Sequence, residues 1–169
     1  MSTPIGHDGP YATPVNLPMQ HVEPAWIDYN GHMNVAYYTL AFDQAIDKFL
    51  EQEFGLGEAH AGRTNVGPYS LQNNVSYFAE LLEGAGFYIA VRLVDHDEKR
   101  MHLFMEMLNE DGQVAAVSEG MLMNVDHTTR RSTPYEGWVL KRLAQMQADH
   151  SKLPVPDGLG AVIGIRRKG

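Results

Sequence analysis

The sequence predicts an α+β fold in which one long helix lies across an antiparallel sheet of about five strands. Three observations predict it. Val35, Tyr38, Phe42, Ala45, Ile46 and Phe49 recur at steps of three and four, which puts them on one helix face. From Tyr69 to Val125 the apolar period switches to alternation, broken by short turns, as in a meander of strands. The chain has 169 residues, within the ~100–200 typical of one domain, so the helix stripe and the sheet face have only each other to cover them.

The elements follow in order. Pro4, Pro10, Pro14 and Pro18 punctuate an extended N-terminal arm, residues 1–14, before a short first strand near Met19 to Val22. Asn34 is suited to cap the helix, because its side chain can accept from an unpaired first-turn amide. The helix is expected from Val35 to Phe54, with Gly55 and Gly57 as the stop and a loop from Gly55 to Pro68. In the next strand, Tyr69 to Phe78, alternation puts Leu71, Val75 and Tyr77 on one side. Phe87, Ile89, Val91 and Leu93 alternate in a second strand, and Met101, Leu103, Met105 and Met107 in a third. Asp95 to Lys99 and Glu110-Asp111-Gly112 supply the hairpin turns, and a last long strand runs from Gln113 to about Val125. Thr133-Pro134-Tyr135-Glu136 has capping-box spacing, so a peripheral second helix is expected from Pro134 to His150. One domain then spans residues 15–152, and residues 153–169 form a tail rich in Pro and Gly with a basic end.

Composition removes several functions. With no cysteine there is no disulfide framework, Cys-zinc site or thiol nucleophile. Lys plus Arg is 13 and Asp plus Glu is 21, a net charge of −8, which disfavours nucleic acid as a partner. No apolar run approaches the ~20 residues that span a bilayer. The N-terminus has neither the basic nor the apolar segment of a secretion signal, so a cytoplasmic protein with no membrane partner is expected. No Gly-x-Ser-x-Gly elbow, phosphate-binding loop or dinucleotide fingerprint is present, and the eight His residues show no metal-ligand spacing. No metal and no cofactor are expected.

The segment Asp28 to Asn34 carries the candidate chemistry. Asp28 precedes the start of the long helix, whose first amides and positive dipole end can polarise a carbonyl. Gly31 lets the backbone turn sharply or lets a ligand approach. A purely structural turn, with Asp28 bonding its own backbone, His32 on the surface and Asn34 as cap, accounts for the same residues.

The run Trp26-Ile27-Asp28-Tyr29-Asn30-Gly31-His32-Met33-Asn34, followed by Ala36-Tyr37-Tyr38, resembles the Asp-x-x-Gly-His-x-Asn signature of hotdog-fold acyl-CoA thioesterases of the 4-hydroxybenzoyl-CoA thioesterase superfamily. The strand pattern from Val15 to Val125 agrees with that family. The resemblance implies a long helix wrapped by an antiparallel sheet, a homodimer or dimer of dimers, and an active site at the subunit interface. By position it makes Asp28 the carboxylate that attacks the thioester or activates water. It makes the Val35 amide the group that binds the thioester oxygen, with His32 and Asn34 as the remaining polar positions of the motif. Some members carry a second acid two positions before the catalytic one, where this chain has Trp26. A closer resemblance is to betainyl-CoA thioesterases, whose cationic acyl group suits aromatic rings.

An acyl-CoA substrate would need cations for its phosphates. Arg63, Arg130 and Arg131 are the candidates, with the tail residues Arg166, Arg167 and Lys168 beside them. Tyr29, Tyr37 and Tyr38, together with Tyr77 and Trp26, are candidates for the acyl pocket, although aromatic residues at helical spacing also suit a core. Two other functions remain open on the same fold: a non-catalytic acyl-CoA binding or sensing protein, and a dehydratase with a different acid–base set.

Overall fold

The computed structural model describes residues 6–168. Short strands β1 (Val15–Asn16) and β2 (Gln20–His21) precede helix α1 (Val35–Phe49) and a second helix, α2 (Glu58–Thr64). The long strands β3 (Val66–Tyr77), β4 (Gly86–His96), β5 (Arg100–Asn109) and β6 (Val114–Asp126) follow, then β7 (Arg131–Ser132) and α3 (Gly137–His150). All pairings are antiparallel and the sheet order is β1-β4-β5-β6-β3, with β2 also on β4 and β7 also on β6. This is the expected α+β arrangement.

Helix α1 begins where the sequence places it. Asn34 is extended, and its side chain accepts from the Ala36 amide at 3.0 Å. Tyr38, Ala41, Phe42, Ala45 and Phe49 are buried against Phe87, Ile89, Val91, Leu103, Met105 and Met107 of the sheet. Each large apolar side chain so buried contributes about 1.5–3 kcal/mol, which is what seats the helix on the sheet. The chain continues through a wider π-type turn from Leu50 to Phe54 and stops at Gly55 with φ 74°.

Five expectations change. The stretch from Gly55 to Pro68 is not all loop: it holds α2 and the first residues of β3. Helix α2 buries no residue, so it leaves no apolar stripe in the sequence. The first strand is two short pieces, since the arm touches the edge of β4 only at Val15–Asn16 and Gln20–His21. In β3, a bulge between Ser70 and Gln72 leaves Leu71 without a partner on β6 and more than half exposed, while Val75 packs on the core. One extra residue shifts the alternation, so Leu71 does not share the core face with Val75. Finally, α3 starts at Gly137, and no side chain caps it. Tyr135 is buried and its amide donates to the Glu98 carbonyl at 2.8 Å, which holds Thr133 to Glu136 in extended chain instead of a capping box. Nor is α3 peripheral: Val139, Leu143 and Met146 are part of the core cluster, beside Tyr11 of the N-terminal arm.

The two edges of the sheet are treated differently. On the β4 side, β1 and β2 cover part of the edge, and the Leu93 amide donates to Nδ1 of the buried His150 at 3.0 Å. On the other side, β3 pairs with β6 along its length and has no second neighbour among the described residues. The C-terminal segment crosses the outer face of the sheet. There the Gly160 amide donates to Glu119 at 2.7 Å, Asn74 donates to the Ala161 carbonyl at 2.9 Å, and Arg92 donates to the Leu153 and Pro154 carbonyls.

His150 gives this packing a pH dependence. Its Nδ1 accepts from Leu93, so its Nε2 carries the proton and donates to the Ala12 carbonyl at 2.8 Å. Both ring nitrogens are committed in the neutral form, and burial, followed by Arg92, holds the pKa below the ordinary 6.5. The unfolded chain therefore binds a proton first as pH falls, so stability is full above about 6.5 and declines below it. We expect the denaturant midpoint to fall between about pH 7.5 and about pH 5.5, one unit either side of the ordinary histidine value. His150→Gln should lower the midpoint at the upper end of that range while flattening the slope. A wild-type midpoint constant across the range would contradict the neutral, doubly bonded His150.

Candidate active site

The turn before α1 is held by backbone bonds at several points. Ile27 and Met33 face each other as an antiparallel bridge. The Asp28 amide donates to the His32 carbonyl at 3.1 Å, and the Gly31 amide to the Asp28 carbonyl at 3.0 Å. The Asn34 amide donates to the Trp26 carbonyl at 2.9 Å, and the Met33 amide to the Leu81 carbonyl at 2.8 Å. Gly31 has φ 83°, a conformation that favours glycine, and a Cβ built there meets no atom within 4 Å. Glycine is thus required by the turn, and the space above it is open.

Asp28 and the helix start are joined by one side chain. Oδ1 of Asp28 accepts from the Asn30 amide at 2.8 Å, and Oδ2 accepts from Nδ2 of Asn34 at 3.1 Å. The Oδ1 of the same Asn34 caps Ala36. The Val35 amide, between Asn34 and Ala36, donates to no acceptor in the described chain, and Val35 is 54% exposed. The site therefore presents a carboxylate, a free N–H and the positive end of a helix of 15 residues. His32 is turned aside, with Nδ1 bonded to the Met33 carbonyl at 3.2 Å.

The aromatic candidates separate. Tyr29 is 96% exposed. Tyr37 stacks on Trp26, with ring centroids 5.5 Å apart and planes 13° apart. Tyr38 is buried, and its hydroxyl donates to the Ala79 carbonyl at 3.4 Å and accepts from the Leu81 amide at 3.2 Å. Because the Leu81 carbonyl in turn accepts from Met33, Tyr38 acts as a strut between the first turn of α1, the β3–β4 connection and the Asp28 turn. Tyr77 meets the Tyr38 ring edge-on at 5.2 Å. Nothing in the sequence marks the β3–β4 connection as a support of the turn, because its contribution is through backbone groups.

The basic candidates lie elsewhere. Arg63 is in α2, just before β3 begins at Val66. Arg130 donates to the Tyr69 hydroxyl at 3.0 Å, and Arg131 stands opposite Asp126 in the strand pairing, with Asp126 itself opposite Val66. The Asp28 turn is tied to Leu81, beyond the other end of β3. A strand of 12 residues spans about 36 Å. Arg63, Arg130 and Arg131 are consequently not brought to Asp28 within one chain. Arg166 is nearer that end, lining a cleft with Ser76 and Phe78.

A groove of about 440 Å³ runs from the first turn of α1 along its open face, between Ala36, Thr39, Leu40 and Asp43 on the helix and Gln72, Asn73 and Ser118 on the sheet. Among the described residues there is no group of three or more His, Asp or Glu side chains placed to hold a metal ion, and no helix is long and apolar enough to cross a membrane.

Comparison with known proteins gives this arrangement its class. Residues 22–143 match the Thioesterase-like superfamily. The betainyl-CoA thioesterase of Pseudomonas aeruginosa is 37% identical over 145 residues, 85% of this chain and 91% of that protein. The L-carnitine dehydrogenase/betainyl-CoA thioesterase of Rhizobium meliloti is 32% identical over 157 residues, but the match is 91% of this chain and only 31% of that protein. A Staphylococcus aureus protein in complex with CoA superposes with a TM-score of 0.83 at 28% identity, covering 90% of this chain and 96% of that one. The DHNA-CoA thioesterase of the same organism shares the fold, with a TM-score of 0.73 at 16% identity over 88% of this chain and 97% of that one. The chain belongs to the thioesterase-like superfamily and has the hotdog fold of its members. It is a thioester hydrolase.

The double role of Asn34 can be tested on one set of samples. Asn34→Ala removes the cap, at a cost of about 1 kcal/mol, and also the donor to Asp28. Asn34→Ser keeps a capping oxygen but has no amide to reach Asp28. We expect Asn34→Ser to retain most of the stability that Asn34→Ala loses, while both variants lose about a hundredfold in turnover per folded molecule. Turnover that follows stability in both would make Asn34 a cap alone.

Proposed function

We propose that the chain hydrolyses the thioester at the Asp28 turn, with the Val35 amide receiving the thioester oxygen and Asp28 acting on the carbonyl carbon. The observation that carries this reading is the pairing of a free helix N-terminal amide with a carboxylate fixed by Asn34. A thioester oxygen that gains negative charge is favoured by a donor already in place at a positive dipole end. Asp28 acts either by attacking the carbonyl carbon or by taking a proton from water as the water attacks. If Asp28 attacks, the C–S bond breaks to leave an acyl–Asp28 mixed anhydride, which water then cleaves; if Asp28 activates water, the C–S bond breaks as the hydroxide adds. In either route the sulfur leaves with a proton supplied by that water, and the products are a carboxylic acid and CoA. A hydrolase needs the carboxylate where a mere binding protein does not, so Asp28→Asn should lower turnover on the best acyl-CoA at least about a hundredfold without loss of folding. Near wild-type turnover in a folded variant would contradict the assignment.

The substrate class rests on the relatives. Betainyl-CoA is the first ester to test, because the Pseudomonas aeruginosa relative carries that name over nearly its whole length. The dehydrogenase activity named for the longer relatives is not carried over, since this chain matches less than a third of their length.

The site is completed in this reading by a second copy. The bare edge of β3 would otherwise leave a row of backbone groups unpaired. Two β3 strands paired antiparallel about their midpoint would bring the Val66 end of one chain to the Tyr77 end of the other. Arg63, Arg130 and Arg131 of one copy would then stand near Asp28 of the other, available to the CoA phosphates. Subunit mixing tests this. Asp28→Asn and a chain carrying Arg63→Glu, Arg130→Glu and Arg131→Glu should each be weak alone. After co-refolding, about a quarter of wild-type activity should return, because half the dimers then hold one intact site. No recovery would put the phosphate contacts within one chain.

A further inference from the structure

The groove beside α1 is lined at one end by Ala36, the residue that follows Val35, and so lies beside the first turn at which the thioester carbonyl is proposed to sit. Its helix wall is made by Ala36, Thr39, Leu40, Asp43 and Ile46, which recur at steps of three and four on one face. Asp43 is the single ionisable side chain among its lining residues, and neither Lys nor Arg lines it. The sheet wall is uncharged: Ser70, Gln72, Asn73 and Ser118, with the Ser118 hydroxyl donating to Oδ1 of Asn73 at 2.6 Å. Ser118 is fully buried, so the floor of the groove is a satisfied polar pair with no charge of its own.

We infer that this groove seats the acyl group and that Asp43 is a specificity residue selecting acyl groups with a quaternary ammonium. The inference rests on the thioesterase reading above. Asp43 lies eight residues after Val35, about 12 Å along the helix axis. Helical side chains lean back over the preceding turn, which brings the carboxylate to about 9–10 Å from the amide along the axis. In a betainyl thioester the nitrogen is separated from the carbonyl carbon by one methylene. With the carbonyl oxygen on Val35 and the acyl group directed along the helix, the cation points at Asp43. Desolvation of a quaternary ammonium is mild because it donates no hydrogen bond, so an anion at several ångströms is an effective partner. Phe42 is the one aromatic residue lining this groove, and it is buried in the core, while Tyr38 is also in the core and Tyr37 is stacked on Trp26, so the wall holds no cage of several rings. Charge at Asp43 distinguishes a cationic acyl group from a neutral one of the same shape.

The test compares betainyl-CoA with its neutral isostere, 3,3-dimethylbutyryl-CoA, in which carbon replaces the nitrogen. The readout is the ratio of kcat/KM for the two esters, so any general loss in a variant cancels. The wild type should favour betainyl-CoA. Asp43→Asn should lower the ratio about three- to tenfold, the scale of one unit charge several ångströms away at intermediate dielectric. Asp43→Lys should lower it further and bring the preference to the neutral ester. Added salt should reduce the wild-type preference and leave that of Asp43→Asn unchanged. The same ratio in all three proteins, or a wild-type preference for the neutral ester, would overturn the role of Asp43 while hydrolysis itself still supported the thioesterase reading. Hydrolysis of neither ester, with other acyl-CoAs cleaved, would overturn the selectivity for a cation. Failure on every acyl-CoA would overturn both.

Discussion

The two hydrogen bonds of the Asn34 side chain make the start of α1 and the Asp28 carboxylate one mechanical unit. Its oxygen fixes the first turn through Ala36 and its nitrogen fixes Asp28, at 3.0 and 3.1 Å. Neither bond alone would define a site. A cap without the second bond leaves Asp28 free to rotate, and a bond to Asp28 without the cap leaves the Val35 amide on a frayed turn. The rest of the fold keeps this unit in place. Phe42 and Phe49 anchor α1 to the sheet, and Tyr38 and Leu81 brace the turn from the opposite side. Buried side chains thus position an amide and a carboxylate at the surface, as the proposed reaction would require of a centre open to a ligand without being loose.

The asymmetry of the sheet has the same logic at a larger scale. One edge is partly covered within the chain by the N-terminal arm and His150, and the outer face is crossed by the C-terminal segment. The β3 edge is left open, and the groove beside α1 borders that strand. Leu71, Tyr77 and Phe78, in and just after this open strand, are exposed. In the proposed reading, an acyl thioester bound there would meet the helix end first, and its nucleotide would extend toward a second copy. The same reading gives the basic residues at the Val66 end of β3 their role across that edge.

Much of this is legible in the sequence because it follows from periodicity. The apolar stripe of α1, the alternation in β4 and β5, and Asn34 at the boundary all depend on local spacing, and all are present in the structure. The Asp28 turn is visible as residue types, though the sequence alone leaves it equally suited to a structural turn. What escapes detection is non-local. Helix α2 buries nothing and so has no stripe. The bulge at Leu71 is a property of the pairing with β6, and it breaks an alternation that looks regular in the sequence. Thr133 to Glu136 has the spacing of a capping box, but burial of Tyr135 and its bond to Glu98 outweigh a local preference worth about 1 kcal/mol. The spacing of Tyr38 suits a ligand-facing aromatic as well as a core residue, and its hydroxyl's two backbone partners decide for the core. The positions of Arg63 and Arg130 relative to Asp28 depend on which end of β3 each approaches, which no local pattern records.

The central claim is that the Val35 amide donates to the thioester oxygen, and its proton reports this directly. In folded Asp28→Asn protein, a dethia acyl-CoA analogue with a ketone in place of the thioester supplies the same carbonyl without turnover. Titration followed by amide proton NMR should move the Val35 resonance downfield, as expected for a newly formed hydrogen bond, with smaller changes at Ala36, whose proton already bonds to Asn34. A saturating titration that leaves Val35 in place while shifting other amides would contradict the account and move the carbonyl site away from the helix N-terminus.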